Sequence, residues 1–362
     1  MKKVLIAGTG KIGSLIAHLL ANTAGYEVHI IDMQFDTPDI QRVLQQTPTI
    51  HAQQLDIQQC QPIVEYLKTN QIIAVISSLP FSLTYAMAKA AHFANTHYFD
   101  LTEDTQVSLN IAKLAEHTSK AFVSHCGLAP GFIGIVANNL IQQLDTDICA
   151  ELRVGALPQC MNTALQYALT WSTAGLINEY GNPCAAIAAG KTILLQPLTD
   201  LETLELNGSS YEAFNTAGGL GHLLQVVQDK VQTLNYKTIR YPGHCEKMRF
   251  LMYELQLNND RQTLQTILER VIPKTYQDIV IVYVRVYGMQ QGQLLDKHYL
   301  KYIYPQTAYG LSWSAIQIST AYSLCAVVDL ILNDSTTYHG FVMPETIALD
   351  TFLNNQFGKI FN

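Results

Sequence analysis

Short apolar segments alternate with helical patterns over the first third of the chain. The apolar runs fall at residues 4–7, 28–31, 72–76, 98–99 and 121–123, with a weaker run at 50–55, and each predicts a strand. Between the first two runs, apolar side chains recur every three or four positions, which predicts a helix with one buried face. Similar helical stretches fall around 63–67, 85–93 and 107–115. A strand followed by a helix, repeated in this way, is typical of a parallel sheet covered by helices on both faces.

The pattern changes after residue 131. A helical stretch at 132–143 precedes strand-like runs at 152–156, 238–241, 279–287 and 298–304, separated by long connections that contain glycine. The apolar run 315–332 predicts a buried helix that returns to the first domain. We therefore predict an α/β chain in three segments. Residues 1–125 form a doubly wound parallel sheet, 126–313 a second α+β domain with a mixed or antiparallel sheet, and 314–362 a C-terminal helical return segment.

The composition favours small molecules as ligands. The 362-residue chain is 48% hydrophobic and 14% charged, which allows large buried cores. Its net charge of −7, without a run of Lys or Arg, favours neither nucleic acid nor a membrane surface as a partner. The seven cysteines are widely spaced, which predicts reduced thiols and no metal site. Glycines interrupt the N-terminal apolar run early, so we expect a cytoplasmic protein.

A glycine-rich turn follows the first predicted strand. Residues 8–13 read Gly-Thr-Gly-Lys-Ile-Gly, a helical pattern follows, and an acidic residue closes the second strand. In a dinucleotide-binding Rossmann domain the first glycine permits the turn, the second admits the pyrophosphate and the third lets the helix approach the sheet. The acidic residue binds the adenine-side ribose and repels a 2′-phosphate, which predicts NAD as the cofactor. The predicted contacts are Gly8, Gly10, Lys11, Ile12, Gly13 and Asp32. Glycines that serve only as turn formers are the alternative.

Two further segments follow predicted strands and face the same sheet edge. Asp56 is placed to reach the adenine, with a solvated loop carboxylate as the alternative. The turn Ser77, Ser78, Leu79 and Pro80 follows the fourth strand, next to the point where the strand order reverses. We predict that this turn lines the cofactor; an ordinary strand end is the alternative.

With these residues placed, the chain resembles the saccharopine dehydrogenase-like family, and most of all its lysine 6-dehydrogenase branch. The resemblance covers nearly the whole chain. Four segments carry it: 8–13, 126–131 (Cys-Gly-Leu-Ala-Pro-Gly), 212–219 (Glu-Ala-Phe-Asn-Thr-Ala-Gly-Gly) and 236–244 (Tyr-Lys-Thr-Ile-Arg-Tyr-Pro-Gly-His). It implies an N-terminal Rossmann domain, an inserted sheet that covers the nicotinamide, and oxidation of a CH–NH group on lysine or a lysine derivative, often in a homo-oligomer.

The chain departs from relatives of this kind at three places. Fungal saccharopine-forming reductases carry an acidic residue where this chain has Ala129, and they prefer NADP, whereas this chain has Asp32. Both differences point away from that branch. Lysine 6-dehydrogenases tend to read Gly-Gly-His after the Asp-Leu pair, whereas residues 102–104 here read Thr-Glu-Asp. An imidazole that could serve the substrate is therefore missing at that point, and the substrate stays open.

Oxidation of an amine carbon requires a base, an anion clamp and a dry pocket. Arg240 lies just before a Pro-Gly turn and is predicted to bind a substrate carboxylate. The alternative is an ordinary surface ion pair. His244 and Asp100 are the predicted catalytic groups. The alternative for His244 is a structural or helix-capping histidine, and the alternative for Asp100 is a helix N-cap. Tyr211 and Asn215 flank a glycine-rich turn and are predicted to bind substrate. The alternative is that both have only structural roles in the loop.

Three functions remain open at this point. The first is an enzyme that oxidises lysine to a semialdehyde, and the second is an enzyme that acts on a saccharopine-like secondary amine. The third is a non-catalytic NAD(H) sensor. The small number of basic residues, 22 Lys and Arg, favours the smaller substrate. We expect a small amino acid as the substrate, and a homodimer or higher homo-oligomer.

Overall fold

The computed structural model describes residues 1–160, 163–334 and 336–362. The chain divides into two compact units. The first comprises Met1–Phe132, Thr307–Trp313 and Gln317–Asn362, and the second comprises Ile133–Gln306 and Ser314–Ile316. The limits 1–125, 126–313 and 314–362 stay a prediction.

A seven-stranded parallel sheet forms the centre of the first unit, in the order β17-β6-β5-β4-β1-β2-β3. Its strands are β1 (Lys2–Ala7), β2 (Tyr26–Asp32), β3 (His51–Gln54), β4 (Ala74–Ser77), β5 (His97–Asp100), β6 (Ala121–Val123) and β17 (Gly340–Phe341). The helices between them are α1 (Lys11–Ala21), α2 (Pro38–Gln46), α3 (Cys60–Thr69), α4 (Phe81–Ala94) and α5 (Thr105–Ala115). The predicted doubly wound Rossmann architecture is confirmed.

The strand order reverses between β1 and β4. The chain runs outward from β1 through β2 to β3, then returns to the other side of β1 and continues through β4, β5 and β6. Because all these strands are parallel, the turns that follow them meet at one edge of the sheet. In open α/β sheets, ligands bind at this edge beside the reversal point.

Helix α1 shows why the predicted pattern produces this layer. Its apolar positions Leu15, Ile16, Leu19 and Leu20 are fully buried, as their spacing predicts. Helix α2, which the apolar pattern did not indicate, begins where the hydroxyl of Thr37 accepts from the Ile40 amide and Pro38 occupies the first turn. Local capping therefore sets its start.

An eight-stranded mixed sheet forms the second unit. The order is β10-β11-β12-β7-β13-β14, with β8 pairing β12 and β9, and all pairs are antiparallel except β7 with β12. The strands are β7 (Thr146–Pro158), β8 (Cys184–Ala188), β9 (Lys191–Leu195), β10 (Glu202–Leu206), β11 (Ser209–Asn215), β12 (Val231–Arg240), β13 (Asp278–Gln290) and β14 (Gln293–Ile303). A separate pair joins β15 (Gln306–Ala308) and β16 (Leu311–Trp313). The predicted α+β domain is confirmed.

Within the described ranges, seven helices follow α5. They are α6 (Phe132–Gln142), α7 (Thr173–Gly181), α8 (Leu223–Val227), α9 (His244–Arg249), α10 (Arg261–Val271), α11 (Ala315–Asn333) and α12 (Leu349–Asn354). A π-helical turn, Phe250–Glu254, continues α9. Short 3₁₀ turns lie at Leu257–Asn259, Pro344–Thr346 and Gly358–Phe361.

Helix α11 is the predicted apolar helix. Among the described residues it is the one helix long and apolar enough to cross a membrane, with a mean hydropathy of 1.7. Most of that window, 78%, is buried inside the protein, as in the core helix of a globular fold.

Candidate cofactor and substrate sites

Two of the three motif glycines are required by close packing. Gly8 has a left-handed φ of +90°, and a Cβ there would lie 2.7 Å from the Ser78 carbonyl oxygen. A Cβ on Gly13 would lie 1.9 Å from the Gly8 carbonyl oxygen, well inside van der Waals contact. The turn between β1 and α1 can therefore close only with glycine at both positions.

The third glycine leaves room instead. A Cβ on Gly10 would meet no described atom within 4 Å, and Gly10 is the extended N-cap residue of α1. Lys11 and Ile12 form the first turn of that helix, and both are half-buried. The first N–H groups of a helix lack carbonyl partners within it and attract anions. The open position above Gly10 therefore fits a pyrophosphate.

The carboxylate of Asp32 is fixed at the end of β2. Its Oδ2 accepts from the Thr9 amide at 2.6 Å and from the Thr9 hydroxyl at 2.8 Å. Its Oδ1 accepts from the Met33 amide at 2.7 Å. These bonds hold one negative charge directly beside the glycine turn, and they leave one further lone pair, on Oδ1.

The other two predicted cofactor segments have local contacts. Asp56 accepts from the Gln58 amide and the Gln59 side chain, both at 3.0 Å, so its carboxylate shapes the loop before α3. Ser77 ends β4 and is buried, and the Ser78 amide donates to the Ala7 carbonyl at 2.8 Å. Leu79 follows and Pro80 is the N-cap residue of α4. The turn thus lies beside β1, while cofactor binding by these residues stays a prediction.

Asp100 is a fully buried carboxyl that organises the turn after β6. It accepts from the Ser124 hydroxyl at 2.9 Å, the Thr102 amide at 3.0 Å and the His125 amide at 3.4 Å. Its main-chain carbonyl accepts from the Cys126 amide at 3.0 Å. Burial raises the pKa of Asp100 to about 6 despite these bonds. Asp100 is therefore placed to position the turn, and its catalytic role stays a prediction.

The divergent tripeptide after Asp100 starts helix α5. The Asp104 carboxylate accepts from the Val107 amide at 2.8 Å and caps the helix. The Asp104 amide donates to the Thr102 hydroxyl at 3.2 Å. Asp104 thus caps the helix, and Thr102 holds the cap residue in place.

The Cys-Gly-Leu-Ala-Pro-Gly turn is closely packed within the first unit. A Cβ on Gly131 would lie 2.0 Å from the Gly127 carbonyl oxygen. That oxygen accepts from the Phe132 amide at 2.9 Å and from the Ser323 hydroxyl of α11 at 2.7 Å. The motif therefore has a structural reason to contain Gly131.

Arg240 ends β12 inside a buried polar cluster of the second unit. Its Nε donates to the Tyr180 hydroxyl at 2.7 Å and its Nη1 to the Ile239 carbonyl at 2.9 Å, while Nη2 lies 3.7 Å from Glu179 Oε2. Burial raises the pKa of Glu179, and the positive charge of Arg240 opposes that rise. The other Glu179 oxygen accepts from the Thr238 hydroxyl at 2.6 Å. Reaching a substrate carboxylate would require Nη2 to turn away from Glu179.

His244 continues the same hydrogen-bond chain. Its Nδ1 lies 2.9 Å from the Leu165 carbonyl oxygen, which can only accept, so Nδ1 carries the proton. Its Nε2 lies 3.1 Å from the Tyr180 hydroxyl, which therefore donates to it. Burial, followed by the charge of Arg240, lowers the pKa of His244 to about 3. These contacts favour a neutral structural imidazole, and a role as the base stays a prediction.

The remaining substrate predictions fall on strand β11. Tyr211 is buried and stacks on Tyr241, with ring centroids 5.8 Å apart. Asn215 is buried at the end of the strand, and its amide nitrogen donates to Thr199 and Asp200 at 3.2 and 3.1 Å. The contacts of Asn215 tie down the loop before β10, and neither residue's contact with substrate is tested.

Sequence reasoning missed three residues of these clusters. Thr9 is absent from the predicted cofactor contacts, yet it binds Asp32 through both its amide and its hydroxyl. Glu179 and Tyr180 lie on α7 in a segment without a motif, and only the fold brings them to Arg240. The hydroxyl of Thr9 was the one detectable signal, since a polar residue inside the turn can reach the end of the next strand.

Two family models cover the chain almost completely. The model described as the saccharopine dehydrogenase NADP binding domain matches residues 4–124, and the saccharopine dehydrogenase C-terminal domain matches residues 127–360. The chain belongs to the saccharopine dehydrogenase family, and it is an NAD(P)-dependent amino-acid dehydrogenase of that family.

Solved structures share this fold at low sequence identity. Apo saccharopine dehydrogenase (L-Glu forming) from Saccharomyces cerevisiae is 14% identical with a TM-score of 0.79, and the match covers 98% of this chain and 96% of that one. A homospermidine synthase from Legionella pneumophila, solved in complex with NAD, is 12% identical with a TM-score of 0.67, and the match covers 99% and 89%. At these identities the likeness shows the fold alone.

Proposed function

We propose that this protein is an NAD-dependent oxidoreductase that acts on a CH–NH group of lysine or a lysine derivative and transfers hydride to nicotinamide. The observation that carries the cofactor choice is the fixed carboxylate of Asp32 beside the open position at Gly10. The substrate class rests on family membership and on the lysine 6-dehydrogenase-like motifs.

The surroundings of Asp32 favour NAD over NADP. A 2′-phosphate on the adenine ribose would bring a second negative charge to the end of β2. The loop that follows, residues 33–37, reads Met-Gln-Phe-Asp-Thr and offers no Lys or Arg to compensate it. A ribose hydroxyl of NAD can instead donate to the remaining lone pair on Asp32 Oδ1.

The chain's own residues then have distinct tasks. The nicotinamide supplies the hydride acceptor when bound. The N-terminus of α1 binds the pyrophosphate, and Asp32 orients the adenosine half. Arg240 is proposed to bind the substrate carboxylate, with Tyr211 and Asn215 as further substrate contacts.

The reaction also needs a proton acceptor, because only a neutral amine releases hydride readily. A substrate ammonium has a pKa of about 10, so a base must take one proton before the redox step. Of the two proposed catalytic groups, Asp100 has the more suitable pKa, about 6, whereas His244 is neutral with both ring nitrogens engaged. Asp100 is therefore the favoured candidate.

A substrate screen tests the proposal. Lysine, ornithine, saccharopine and polyamines are each incubated with NAD or NADP while absorbance of the reduced cofactor is followed. Fastest reduction with lysine and NAD supports the proposal. Turnover of saccharopine alone would move the substrate to a secondary amine, and tight NAD binding without any turnover would identify a sensor. We further propose that the protein is cytoplasmic and that it forms a homo-oligomer. Size-exclusion chromatography with light scattering tests the oligomeric state.

A further inference from the structure

Three ligand atoms meet on one face of the first unit's sheet, away from the cofactor edge. Glu27 Oε1 lies 3.2 Å from His29 Nε2 and 3.8 Å from His51 Nε2, and one ligand atom from each of the three residues lies within 4.8 Å of the others. Glu27 and His29 share a face of β2 because they are two residues apart. The parallel register places His51 of β3 opposite His29, and their rings stack with centroids 4.6 Å apart.

We propose that Glu27, His29 and His51 bind a divalent transition-metal ion, with Zn²⁺ as the ion to test. Two imidazole nitrogens and a carboxylate oxygen are typical zinc ligands, with metal–ligand distances of about 2.0–2.2 Å. In a tetrahedral site such distances place neighbouring ligand atoms roughly 3.3 to 3.6 Å apart. The separation of 3.2 Å between Glu27 Oε1 and His29 Nε2 is already close to this range. His51 has to reorient its ring to bring Nε2 into range, and the exposure of its side chain leaves room for that movement.

The surroundings of His29 suit a metal ligand. The ring is buried, and its Nδ1 lies 2.8 Å from the Tyr66 hydroxyl of α3. A partner on the second nitrogen is what orients metal-binding histidines in general. Nε2 is thereby directed at Glu27, where the ion would lie. His51, in contrast, lies on the edge strand β3 with 57% of its side chain exposed, which gives the ion an entry path and room for water ligands.

Lys3 is the competing cation at this site. Its Nζ lies 3.5 Å from Glu27 Oε1, and its side chain is 34% exposed. A long lysine side chain can move its ammonium to solvent while the stem stays packed. Metal binding is therefore expected to exchange Lys3 for the ion at Glu27, and removal of Lys3 should favour the ion.

A bound ion is expected to cross-link the two strands at the edge of the sheet. All four residues of β3 are exposed, so little apolar burial holds this strand. An ion that joins β3 to β2 binds only the folded chain and stabilises it by mass action. Five residues separate Glu27 from Asp32 along β2, or roughly 16 Å, so the ion should affect stability without entering the cofactor site. The proposal does not depend on the proposed enzymatic function.

The test uses the full chain without an affinity tag. Zn²⁺ affinity is measured by competition with a chromophoric chelator, and thermal unfolding is followed with Zn²⁺ or with EDTA. We expect one Zn²⁺ bound at this cluster and a higher melting temperature with Zn²⁺. His51→Ala and Glu27→Gln should each weaken that binding at least about a hundredfold, since loss of an outer partner alone costs 10–100-fold. Tyr66→Phe should weaken it about tenfold.

Two matched variants complete the experiment. His117→Ala removes an exposed histidine outside the cluster and should leave zinc affinity unchanged. Lys3→Met should raise it. The proposal is overturned if His51→Ala and Glu27→Gln bind zinc as the wild type does, or if Zn²⁺ leaves the wild-type melting temperature unchanged.

Discussion

Thr9 donates twice to the same oxygen of Asp32, from its amide at 2.6 Å and from its hydroxyl at 2.8 Å. The residue between the first two motif glycines thereby anchors the carboxylate that ends the second strand. The glycine turn and the charge of Asp32 are therefore one hydrogen-bonded unit, so the charge is fixed before any ligand binds. This coupling makes the cofactor preference testable apart from cofactor affinity.

We expect the wild type to prefer NAD over NADP by at least about tenfold, or about 1.4 kcal/mol. Asp32→Ala should narrow that ratio because it removes the charge that opposes a 2′-phosphate. Thr9→Ala keeps the charge and loses one hydrogen bond, so it should weaken both cofactors alike and leave the ratio unchanged. Steady-state kinetics with each cofactor measure both effects. Equal use of NADP by the wild type contradicts the assignment of Asp32.

Gly10 and Gly13 should respond differently to an added side chain. Gly10→Val introduces a side chain into open space, so the variant should fold while the pyrophosphate is excluded. Gly13→Ala places a Cβ against the Gly8 carbonyl oxygen and should cost about 3 kcal/mol of stability or more. Calorimetric titration with NAD and chemical unfolding separate the two outcomes. Unchanged NAD affinity in Gly10→Val would mean that the motif serves only as a turn.

Asp100 should make stability depend on pH between about 4 and 6. Its pKa in the folded chain, about 6, lies above the ordinary value of 3.8. A carboxyl with a raised folded-state pKa contributes stability that is fully present below the unfolded pKa and is lost as pH rises through the folded pKa. Two pKa units correspond to about 3 kcal/mol.

Urea unfolding at a series of pH values measures this loss. The side chain of the Asp100→Asn variant cannot ionise. The free energy of unfolding of this variant should therefore fall less than that of the wild type over the same pH interval. All other carboxyl groups are common to both proteins and cancel in the comparison. Parallel pH profiles would show that Asp100 does not titrate in this range.

Arg240→Ala should lower both stability and substrate use. The substitution leaves the carboxylate of Glu179 buried without its ion pair, at a cost of about 3–5 kcal/mol. If Arg240 also binds the substrate carboxylate, kcat/KM of the folded variant should fall roughly thirty- to thousandfold. This corresponds to a loss of about 2 to 4 kcal/mol of transition-state stabilisation. Lysine at this position keeps the charge without the fork and should restore only part of the activity.

Arg153 offers a matched control for that prediction. It is equally buried in the same sheet and is ion-paired with Glu202. Arg153→Ala should therefore lose stability and keep the KM for substrate. A normal KM in Arg240→Ala would assign Arg240 to packing alone, and another residue would then bind the carboxylate.

The parts of the fold that local chemistry determines were predictable. The turn at Gly8, helix α1 and the parallel strands follow from apolar spacing and glycine placement within short segments. The strands β8 to β11 were not predicted. They form two local hairpins, β8 with β9 and β10 with β11, and the largely exposed positions of β9 and β10 give only a weak apolar signal. Helix α9 ends at Arg249 and continues as a π-helical turn, a change of pitch that apolar spacing does not reveal.

The candidate sites divide along the same line. Asp32 was predictable because its partner turn lies one strand away in a motif of fixed spacing. The surroundings of Arg240 were not, because Glu179 and Tyr180 come from a helix about 60 residues earlier in the chain. Likewise, His29 and His51 meet only through the register of β2 and β3.

The central claim, hydride transfer from an amine-bearing carbon of lysine to NAD, is tested most directly by isotope transfer. The enzyme is incubated with NAD and lysine deuterated on the carbon that bears the side-chain amine, and the reduced cofactor is analysed by mass spectrometry. We predict one deuterium in the reduced cofactor and none when the label is on the α-carbon. Unlabelled reduced cofactor from the side-chain-labelled substrate, or no reduction of NAD at all, would contradict the account.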